Sequence, residues 1–584
     1  MKQSTAPLVL ILGLGISGLA MARWCAAQGM RVRVADTRAQ PPHWANLREE
    51  VPEVECVLGQ PLDAALLRSR VGHVEVSAVY CSPGLALAEV EPVRTAAAHS
   101  GVFFGGELDL FSQMLARLRQ EHGYRPHVLA ITGTNGKTTV TSLTGQLLER
   151  AGLSVAVAGN IGPSLLDTLA SRMQAAQSVC EVASAHVESA VQEKSAASGG
   201  EAGVEQEDDE GLHANCSNVV VVAEHVQPDA YALALPQVWV LELSSFQLEY
   251  SSRFEPTAAT VLNVSEDHLD WHGSMQAYVR AKARIYGQRA VAVFNRDDAA
   301  TMALMPELVA ATDKPAKGRH RAVGTGRAIL RFGLGAPEQA GDWGVEVQAG
   351  MPWLVRAYSD APGEQGGVGA AKSMARMTEV FFQRLMPCAA LRIHGRHNIS
   401  NALAALALAS TTGASLAHML HGLREYRGEP HRVQSLGFVQ EVEYIDDSKG
   451  TNVGATVAAL GGLSKEGSAR RLVVILGGDG KGQDFAPLAW PVMQAARAVL
   501  LIGRDAFLIE TALQGTGVPL HHAPTLEDAV QHAASLAQPG DAVLLSPACA
   551  SLDMFRDYAH RAEVFSSCVR ALALDAGQEL GDGT

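Results

Sequence analysis

The sequence contains no long hydrophobic run, and this absence argues against an integral membrane protein. No apolar stretch approaches the roughly 20 residues that a helix needs to cross a bilayer. The stretch Leu8 to Leu14, followed by Ala20-Met21-Ala22, is similar to a signal peptide with its cleavage site. However, Gly13, Gly15 and Gly18 interrupt this segment in a pattern that has its own explanation below. We therefore expect a cytoplasmic protein.

The sequence also lacks closely paired cysteines. Its eight cysteines stand at positions 25, 56, 81, 180, 216, 388, 549 and 568, and none of them forms a Cys-x-x-Cys pair. This spacing excludes both a zinc ribbon and a dithiol redox site. In a chain of 584 residues, reduced and buried thiols in a cytosolic protein are the expected interpretation.

The sequence also has fewer basic than acidic residues. Lysine and arginine number 47 against 61 aspartates and glutamates, which gives a net charge of −14 and an isoelectric point near 5.8. Nothing therefore offsets phosphate repulsion across the whole molecule, and we expect neither a nucleic-acid partner nor a membrane partner. Local basic clefts remain compatible with this balance.

The order of apolar and helical patterns predicts an α/β protein with mainly parallel sheets. At about 150 residues per domain, the length suggests about four domains. Short apolar runs that end at glycine or small polar residues alternate with helix-like segments. The predicted strands are Leu8 to Leu12, Val32 to Ala35, Val76 to Tyr80, Val128 to Ile131, Val155 to Ala158, Val238 to Leu243, Thr260 to Val264, Val291 to Phe294, Leu472 to Leu476, Val499 to Ile502 and Val543 to Leu545.

Two stretches break this alternation. Residues from about 173 to 233 are rich in Ala, Ser, Glu and Gly and include the acidic run Glu205 to Glu210. Residues from about 356 to 378 contain four glycines among small polar residues. Both compositions predict solvated or partly disordered insertions. A solvated loop is a better interpretation of the acidic run than a partner-binding segment.

The N-terminal glycines form a nucleotide fingerprint. Gly13-Leu14-Gly15-Ile16-Ser17-Gly18 follows a predicted strand and opens a helix, and Asp36 ends the next strand. Such glycines let the backbone approach a pyrophosphate at the N-terminus of the helix. The fingerprint does not identify the ligand, because a UDP-sugar and NAD satisfy the same physics.

A second glycine-rich loop follows the strand at Val128. Its backbone amides would cradle phosphates, Lys137 would reach the terminal ones, and Thr138 would ligate Mg²⁺. Ile131 occupies the position of the first glycine in the strict motif, so this is a variant phosphate loop. The loop consists of Gly133, Thr134, Asn135, Gly136, Lys137, Thr138 and Thr139.

Two polar residues follow later strands of the central region. Glu242 ends the strand at Val238, and His268 follows the strand at Thr260. Ligands of open α/β sheets gather at the carboxyl ends of the strands, so both side chains are predicted to converge on the phosphate loop. A carboxylate such as Glu242 suits Mg²⁺.

Several turns near the C-terminal strands carry a cation beside a glycine. Arg432, Lys449 and Lys481 stand in such turns, which favours anion binding over surface salt bridges. The motifs of this region are His397 to Asn401, Pro430 to Arg432, Asp446 to Asn452, Gly477 to Lys481 and Ser546 to Asp553.

In this order, the motifs resemble the Mur ligase family, whose members join an amino acid to a UDP-muramoyl precursor of peptidoglycan. The phosphate loop is shared with folylpolyglutamate synthases, whereas Glu242 to Leu248, Asp447 to Asn452 and Ser546 to Asp553 resemble the glutamate-adding members. The resemblance spans nearly the whole chain except the two insertions. It implies three domains: a Rossmann-like UDP-binding domain over 1–106, a central P-loop ATPase over 107–428 and a Rossmann-like glutamate-binding domain over 429–584.

The resemblance also implies roles for individual residues. The UDP-linked substrate would be bound by Ile16, Ser17, Asp36, Thr37, Arg38, Ser82, Gly84 and Asn160. ATP would be bound by the phosphate loop together with Asn398, Asn401, Arg432, Asp447 and Lys449. Glutamate would be bound by Thr451, Lys481, Ser551, Leu552 and Tyr558. The catalytic residues would be Lys137, Glu242, His268, Lys282 and Lys449.

A metal site follows from the same resemblance. Thr138, Glu242, His268 and Lys282 would hold Mg²⁺, with two ions expected. Lys282 matches a family lysine that carries a carbamate derived from CO₂. Carbamylation would turn this ammonium into an oxygen donor able to hold Mg²⁺.

The activity implied is the ATP-dependent joining of D-glutamate to UDP-N-acetylmuramoyl-L-alanine through an acyl phosphate, by a monomer, in peptidoglycan synthesis. Three alternatives remain open at this point. A sister ligase or a folylpolyglutamate synthase would use another amino acid or acceptor. An NAD-linked oxidoreductase would leave the phosphate loop without a use, and a non-catalytic nucleotide-binding module would leave Glu242 and Lys282 without one.

Overall fold

The computed structural model describes residues 6–68, 75–160, 162–197, 226–306, 308, 327–359, 380–393, 395–463 and 470–580. Within this part of the chain there are three β-sheets, of five, nine and six strands, with helices between most successive strands. The prediction of an α/β protein with mainly parallel sheets is confirmed. None of the helices in the described ranges combines the length and apolar character needed to span a membrane.

The N-terminal sheet is parallel throughout and has the strand order β3-β2-β1-β4-β5. The strand order reverses between β1 and β4, so the crevice for a ligand lies at the carboxyl ends of these two strands. The strands are β1 Leu8–Leu12, β2 Arg31–Asp36, β3 Glu55–Leu58, β4 Val76–Cys81 and β5 Phe103–Gly106. The helices are α1 Ile16–Ala27, α2 Trp44–Glu50, α3 Leu87–His99 and α4 Glu107–His122.

The central sheet has the order β14-β13-β12-β11-β10-β9-β6-β8-β7. At the β14 edge, the pairs β12–β13 and β13–β14 are antiparallel. Its strands are β6 His127–Thr132, β7 Val155–Gly159, β8 Val238–Glu242, β9 Ala258–Val261, β10 Val291–Asn295, β11 Ile329–Phe332, β12 Trp343–Gln348, β13 Met351–Ser359 and β14 Val380–Pro387. The accompanying helices are α5 Lys137–Arg150, α6 Leu165–Ala197, α7 Ala230–Ala234, α8 Ser245–Glu249, α9 Leu269–His272, α10 Met275–Ala283, α11 Ala299–Ala303, α12 Arg396–Ser410 and α13 Leu416–Glu425.

Regular elements extend into the start of both predicted insertions. Helix α6 continues to Ala197, so the first 25 or so residues of the insertion at 173–233 are helical. The sequence predicts a solvated or partly disordered segment here; the described part is a helix rich in Ala, a strong helix former, and most side chains from 173 to 182 are exposed to solvent. Strand β13 likewise extends to Ser359 and takes up the start of the second insertion. The acidic run and residues 360–378 lie outside the described residues.

The C-terminal sheet has the order β15-β16-β20-β17-β18-β19 and is parallel except for the β15–β16 pair. Both of its faces are covered: Leu472, Val474 and Leu476 of β17 point into one apolar cluster, whereas Val473 and Ile475 point into another. The strands are β15 Gln434–Val439, β16 Val442–Asp446, β17 Leu472–Gly477, β18 Ala496–Ile502, β19 Leu520–His522 and β20 Ala542–Leu545. The helices are α14 Val453–Leu463, α15 Ala489–Ala495, α16 Ala506–Leu513, α17 Leu526–Leu536 and α18 Tyr558–Asp575.

Contacts divide the chain into two compact units. The first consists of Met1–His127, Ser154–Trp239 and Tyr250–Phe254, and it contains the whole N-terminal sheet. The second consists of Val128–Leu153, Val240–Glu249 and Glu255–Thr584. It therefore contains both the phosphate loop and the C-terminal sheet. The predicted domain limits near 106 and 428 stay predictions.

Candidate active site

The N-terminal glycine turn is a tight backbone crossing at the carboxyl end of β1. Gly13 N donates to Ala35 O at 2.8 Å, and a Cβ on Gly18 would stand only 2.0 Å from Gly13 O. Glycine is therefore obligatory at position 18. Next to this turn, Ser82 at the end of β4 donates its backbone N–H to Leu12 O at 2.8 Å. The structure thus brings the two predicted UDP-binding segments of β1 and β4 together.

Asp36 is a buried carboxylate whose partners lie in the glycine turn after β1 and in its own turn. It accepts hydrogen bonds from Leu14 N at 2.7 Å and from the Arg38 backbone and guanidinium at 2.7–2.9 Å. Burial raises the pKa of Asp36, but these hydrogen bonds outweigh burial and lower it. Asp36 therefore orients Arg38, whose side chain is half exposed.

The remaining predicted UDP-binding residues of the first unit differ in exposure. Ile16 is 69% exposed at the start of α1, and Gly84 and Asn160 are also exposed. Ser17 and Thr37 are half-buried, and Ser82 is buried. These residues follow the carboxyl ends of β1, β2, β4 and β7.

The phosphate loop connects β6 to α5 and is held in shape from several sides. Gly136 has a φ of 82°, and a Cβ there would stand 2.6 Å from Asn401 Oδ1. Asn135 exchanges two hydrogen bonds with Asn263, at 2.8 and 3.0 Å. Lys137 Nζ donates back to Gly133 O at 2.9 Å and to Thr134 O at 2.8 Å.

Lys282 reaches the same loop from α10. It is 2% exposed, donates to Gly133 O at 2.8 Å and lies 4.4 Å from the centre of the Tyr278 ring. Burial, together with the charge of Lys137, places the pKa of Lys282 well below the ordinary lysine value. The side chain of Lys282 can therefore lose its proton more easily than an ordinary lysine, and the neutral amine is the form that acts as a nucleophile.

Glu242 supplies negative charge beside these cations. It is 2% exposed at the end of β8. Burial lowers the pKa values of Lys137 and Lys449, and the charge of Glu242 counteracts this effect in both. Thr138, also buried, accepts a hydrogen bond from Arg432 Nη2 at 3.1 Å. The charge of Glu242 therefore acts on the phosphate-loop lysine, and the site roles of both residues stay predictions.

His268 has a left-handed backbone with a φ of 54° and a side chain that is one-third exposed. Its ring packs edge-on against Phe246 with a centroid distance of 4.8 Å. Burial lowers the pKa of His268, and the neighbouring charges of Lys137 and Lys282 lower it further, while Asp267 opposes them. The charges of both lysines thus act on His268, and its role at the phosphate loop stays a prediction.

The two asparagines predicted to contact adenine lie on the first turns of α12. Asn401 Nδ2 donates to Asn398 Oδ1 at 3.1 Å. Because Asn401 also contacts the Gly136 position, the structure joins this pair to the phosphate loop.

Of the predicted C-terminal nucleotide residues, Arg432 contacts the phosphate loop at Thr138, and its charge also acts on Asp447 and Lys449. Asp447 is buried and accepts from Ser546 Oγ at 2.6 Å and from Val433 N at 3.3 Å. Burial raises its pKa to about 7. Lys449 has a lowered pKa, because of burial and of the nearby charge of Arg432.

The predicted glutamate residues lie on three segments of the C-terminal domain. The turns that carry Lys481 and Ser551 are joined by two backbone hydrogen bonds between Asp479 and Ala550, at 2.9 and 3.0 Å. Tyr558 begins α18, and its ring lies 5.5 Å from Lys449 Nζ. Ser551 is buried, whereas Lys481 is exposed, Thr451 is half-buried and Leu552 is 69% exposed.

Four residues near this site were missed by sequence reasoning as site residues. Asn452 Nδ2 donates to Asn135 Oδ1 at 3.1 Å, and Asn263 holds the same loop from the other side. Tyr278 stands four residues before Lys282 on one helix, and this spacing is a signal that could have identified it.

Arg561 is fully buried and donates to Ser448 O and Cys549 O at 2.9–3.2 Å. No sequence signal separates Arg561 from a surface arginine.

Two further features delimit the site. Among the described residues, no three His, Cys, Asp or Glu side chains stand close enough to hold a metal by themselves. The predicted metal set does not require such a cluster, because it relies on a hydroxyl and a modified lysine.

A cavity of about 430 Å³ between the ends of β18 and β19 is lined by Arg504, His522 and Asp553 among others. None of the predicted site residues lines this cavity.

A phosphate loop contacted by lysine and arginine side chains, in a chain built from three α/β sheets, is typical of a nucleotide-dependent enzyme. Three family models match the chain: "Mur ligase MurD-like, N-terminal domain" over 7–104, "Mur ligase middle domain" over 131–210 and 226–316, and "Mur ligase, glutamate ligase domain" over 431–549. The chain belongs to the Mur ligase family and is an ATP-dependent, amide-forming ligase.

Relatives resemble the chain over nearly its whole length, and each is named UDP-N-acetylmuramoylalanine–D-glutamate ligase. The protein of Albidiferax ferrireducens is 51% identical over 570 residues, which cover 97% of both chains. That of Burkholderia cenocepacia is 50% identical over 575 residues, which cover 98% of both. That of a Polaromonas species is 46% identical over 655 residues, which cover 97% of this chain and 98% of the relative.

Proposed function

We propose that this protein joins D-glutamate to UDP-N-acetylmuramoyl-L-alanine at the expense of ATP, giving UDP-N-acetylmuramoyl-L-alanyl-D-glutamate, ADP and phosphate. The observation that carries the proposal is the cluster of Lys137, Lys282, Arg432 and Lys449 around the phosphate loop, with Glu242 among them. Such a cluster suits the transfer of a phosphoryl group to a carboxylate. The names of relatives at about half identity supply the substrates.

The binding roles follow the positions of the side chains. In the first unit, Ile16, Ser17, Asp36, Thr37, Arg38, Ser82, Gly84 and Asn160 bind the UDP-linked substrate. In the second unit, ATP is bound by the loop from Gly133 to Thr139 and by Asn398, Asn401, Arg432, Asp447 and Lys449. Glutamate is bound by Thr451, Lys481, Ser551, Leu552 and Tyr558, with cations and N–H donors for its two carboxylates.

Magnesium suits the oxygen donors near the phosphate loop. A buried carboxylate on Glu242 and a buried hydroxyl on Thr138 are the kind of sparse oxygen set that Mg²⁺ completes with water and substrate phosphates. We assign one ion to these residues and a second to His268 and a carbamylated Lys282. Bound Mg²⁺ would neutralise charge on the phosphoryl group.

Carbamylation of Lys282 is supported by its surroundings. Its lowered pKa favours the neutral amine, which is the form that attacks CO₂. The product would carry a negative charge beside the ammonium of Lys137, in place of a neutral amine. The attraction between these opposite charges stabilises the carbamate.

The protein's own part in the reaction is positioning and charge neutralisation. Lys137 and Lys449 orient the terminal phosphate of ATP toward the alanyl carboxylate, which attacks it to give an acyl phosphate. The amine of D-glutamate then attacks the acyl carbon and phosphate leaves. Arg432, which reaches Thr138 from the C-terminal domain, holds that domain against the phosphate loop during transfer.

We further propose that the protein acts in the cytoplasm as a monomer, in the synthesis of peptidoglycan precursors and hence in cell-wall biogenesis, cell shape and cell division. Neither nucleic acid nor membrane is expected as a partner. The net charge of −14 supports this last expectation.

A phosphate-release assay tests the proposal. The chain is incubated with ATP, Mg²⁺ and UDP-N-acetylmuramoyl-L-alanine, and D-glutamate, L-glutamate, L-alanine, L-lysine or meso-diaminopimelate is added in turn. We expect sustained release with D-glutamate alone. Release with another amino acid would identify a sister ligase, and release with a folate in place of the UDP substrate would identify a folylpolyglutamate synthase. Nucleotide binding without turnover would identify a binding module.

A further inference from the structure

The reaction needs a proton acceptor, because the amine of glutamate enters as an ammonium ion. An ammonium ion has no lone pair with which to attack an acyl phosphate. An acceptor must therefore lie between the residues that hold the phosphate and those that hold glutamate. It must also have a free nitrogen or oxygen and reach solvent for the proton to leave.

His431 occupies this position. It immediately precedes Arg432, which reaches the phosphate loop, and its carbonyl oxygen accepts from Lys449 N at 3.1 Å. Its ring lies 6.4 Å from that of Tyr558, a proposed glutamate residue. His431 thus touches both sets of residues, and its side chain is about one-third exposed.

The ring of His431 is oriented by a buried carboxylate. Its Nδ1 lies 2.7 Å from Asp446 Oδ2, and Asp446 is 1% exposed. Ser448 fixes the other oxygen of Asp446 by hydrogen bonds from its N–H and hydroxyl. A carboxylate can only accept, so Nδ1 carries the proton and Nε2 is left as the basic nitrogen. Among the described residues, none hydrogen-bonds to Nε2.

From this geometry we infer that His431, oriented by Asp446, is the general base that takes the proton from the amine of glutamate. The inference rests on the proposed function, since it presumes an amine nucleophile. The ammonium of D-glutamate gives one proton to His431 Nε2 and becomes a neutral amine. As the C–N bond forms and the C–O bond to phosphate breaks, a second proton goes to the departing phosphate. His431 then releases its proton to solvent.

Other titratable groups of the second unit suit this role less well. Asp447 is buried, and both of its oxygens accept hydrogen bonds, from Val433 N and Ser546 Oγ. For His268, burial and the charges of Lys481, Lys137 and Lys282 disfavour the protonated form, and Asp267 opposes them only in part. His431 instead faces one carboxylate, Asp446, and one ammonium, Lys449, with Tyr558 on its remaining side. The hydrogen bond to Asp446 prevails and raises the pKa of His431.

The test compares two nucleophiles on the His431→Gln variant. Glutamate needs a base, whereas hydroxylamine is mostly uncharged at neutral pH and traps an acyl phosphate as a hydroxamate without one. The full-length enzyme is given ATP, Mg²⁺ and UDP-N-acetylmuramoyl-L-alanine, with D-glutamate or hydroxylamine. We expect His431→Gln to lower glutamate ligation by about 10²–10⁴-fold and to lower hydroxamate formation far less. The exposed His421, changed to Gln, is the matched control and should leave both rates as they are.

The Asp446→Asn variant and a pH profile provide a second readout. In the wild type, kcat/KM for D-glutamate should fall on the acid side with an apparent pKa above 6.5. Asp446→Asn should move this inflection to lower pH and lower kcat/KM, because the amide withdraws the charge that supports the imidazolium. This measurement stands even if His431→Gln does not fold.

The outcomes separate the two claims. If the wild type forms no hydroxamate, the proposed acyl phosphate is wrong and the function falls with it. If the wild type forms hydroxamate but His431→Gln slows both nucleophiles equally, or neither, the assignment of His431 as base is overturned. The assignment would also be overturned if the acid-side inflection of the kcat/KM profile stayed at the same pH in the Asp446→Asn variant.

Discussion

Lys137 and Lys282 donate to one and the same acceptor, the carbonyl oxygen of Gly133, at 2.9 and 2.8 Å. Two ammonium groups on one oxygen repel each other, and burial adds to the cost of charging both. Burial lowers the pKa of both lysines, and the charge of Lys137 lowers that of Lys282 further. The neutral amine that this favours at Lys282 is the form that the proposed carbamylation requires.

The first prediction concerns the carbamate on Lys282. Incubation with ¹³C-labelled bicarbonate should give a carbamate signal in the ¹³C NMR spectrum of the wild type. Its occupancy should rise with pH, because the neutral fraction of a lysine with a lowered pKa grows well below pH 10.5. Lys282→Arg should lose the signal and about 10²-fold or more of the activity, since arginine stays protonated. A wild-type spectrum without the signal would contradict the assignment.

The second prediction concerns Lys137. Lys137→Ala should lower ATP-dependent phosphate release by about 10²–10³-fold, because one fixed positive charge on the transferring phosphoryl group is lost. Circular dichroism and thermal unfolding should show a folded protein. Arg119, which is exposed on α4, provides a charge-matched control when changed to alanine. Turnover retained by Lys137→Ala would remove the lysine from the mechanism.

The third prediction concerns the glycine turn after β1. Gly18→Ala should destabilise the first unit by about 1–3 kcal/mol or more, because the added Cβ would stand 2.0 Å from Gly13 O. UDP-substrate affinity should fall with it. Gly461→Ala is the control: its Cβ would meet nothing within 4 Å in α14, and alanine favours the helix. Chemical denaturation measures both, and equal stability for the two variants would contradict the account of the turn.

The fourth prediction concerns the buried arginine of the C-terminal domain. Arg561→Met should lower the free energy of unfolding by about 3 kcal/mol, since the carbonyls of Ser448 and Cys549 would lose their donor. Arg570, exposed on the same helix, should tolerate methionine with a change of less than about 0.5 kcal/mol. Urea titration of both variants tests this difference. A similar loss of unfolding free energy in both variants would show that the hydrogen bonds of Arg561 add no stability of their own.

Much of the fold was predictable because parallel strands buried on both faces read as unbroken apolar runs. Leu472 to Leu476 and Val543 to Leu545 are such runs, and both were predicted close to their observed limits. The hairpin strands β12, β13 and β14 were missed. In β14 most side chains are partly or fully exposed, so its residues lack that apolar signal. Pairing between such strands depends on partners distant in the sequence.

The site was predictable to the extent that its residues belong to local motifs. The phosphate loop, Glu242 and Lys449 all stand beside turns that the sequence marks with glycine or small polar residues. Asn452 on Asn135 and Arg432 on Thr138 join positions about 300 residues apart, 317 and 294 respectively. No local pattern records such contacts, and only the folded second unit reveals that they meet at one loop.

The most direct test of the central claim follows one oxygen atom. UDP-N-acetylmuramoyl-L-alanine with ¹⁸O in its alanyl carboxylate is incubated with the enzyme, ATP, Mg²⁺ and D-glutamate, and the released phosphate is analysed by mass spectrometry. An acyl phosphate requires one carboxylate oxygen to leave with each phosphate, so we expect phosphate that carries one ¹⁸O and an equal amount of the D-glutamyl product. Unlabelled phosphate would contradict the account, because ATP would then have been cleaved without activating the carboxylate.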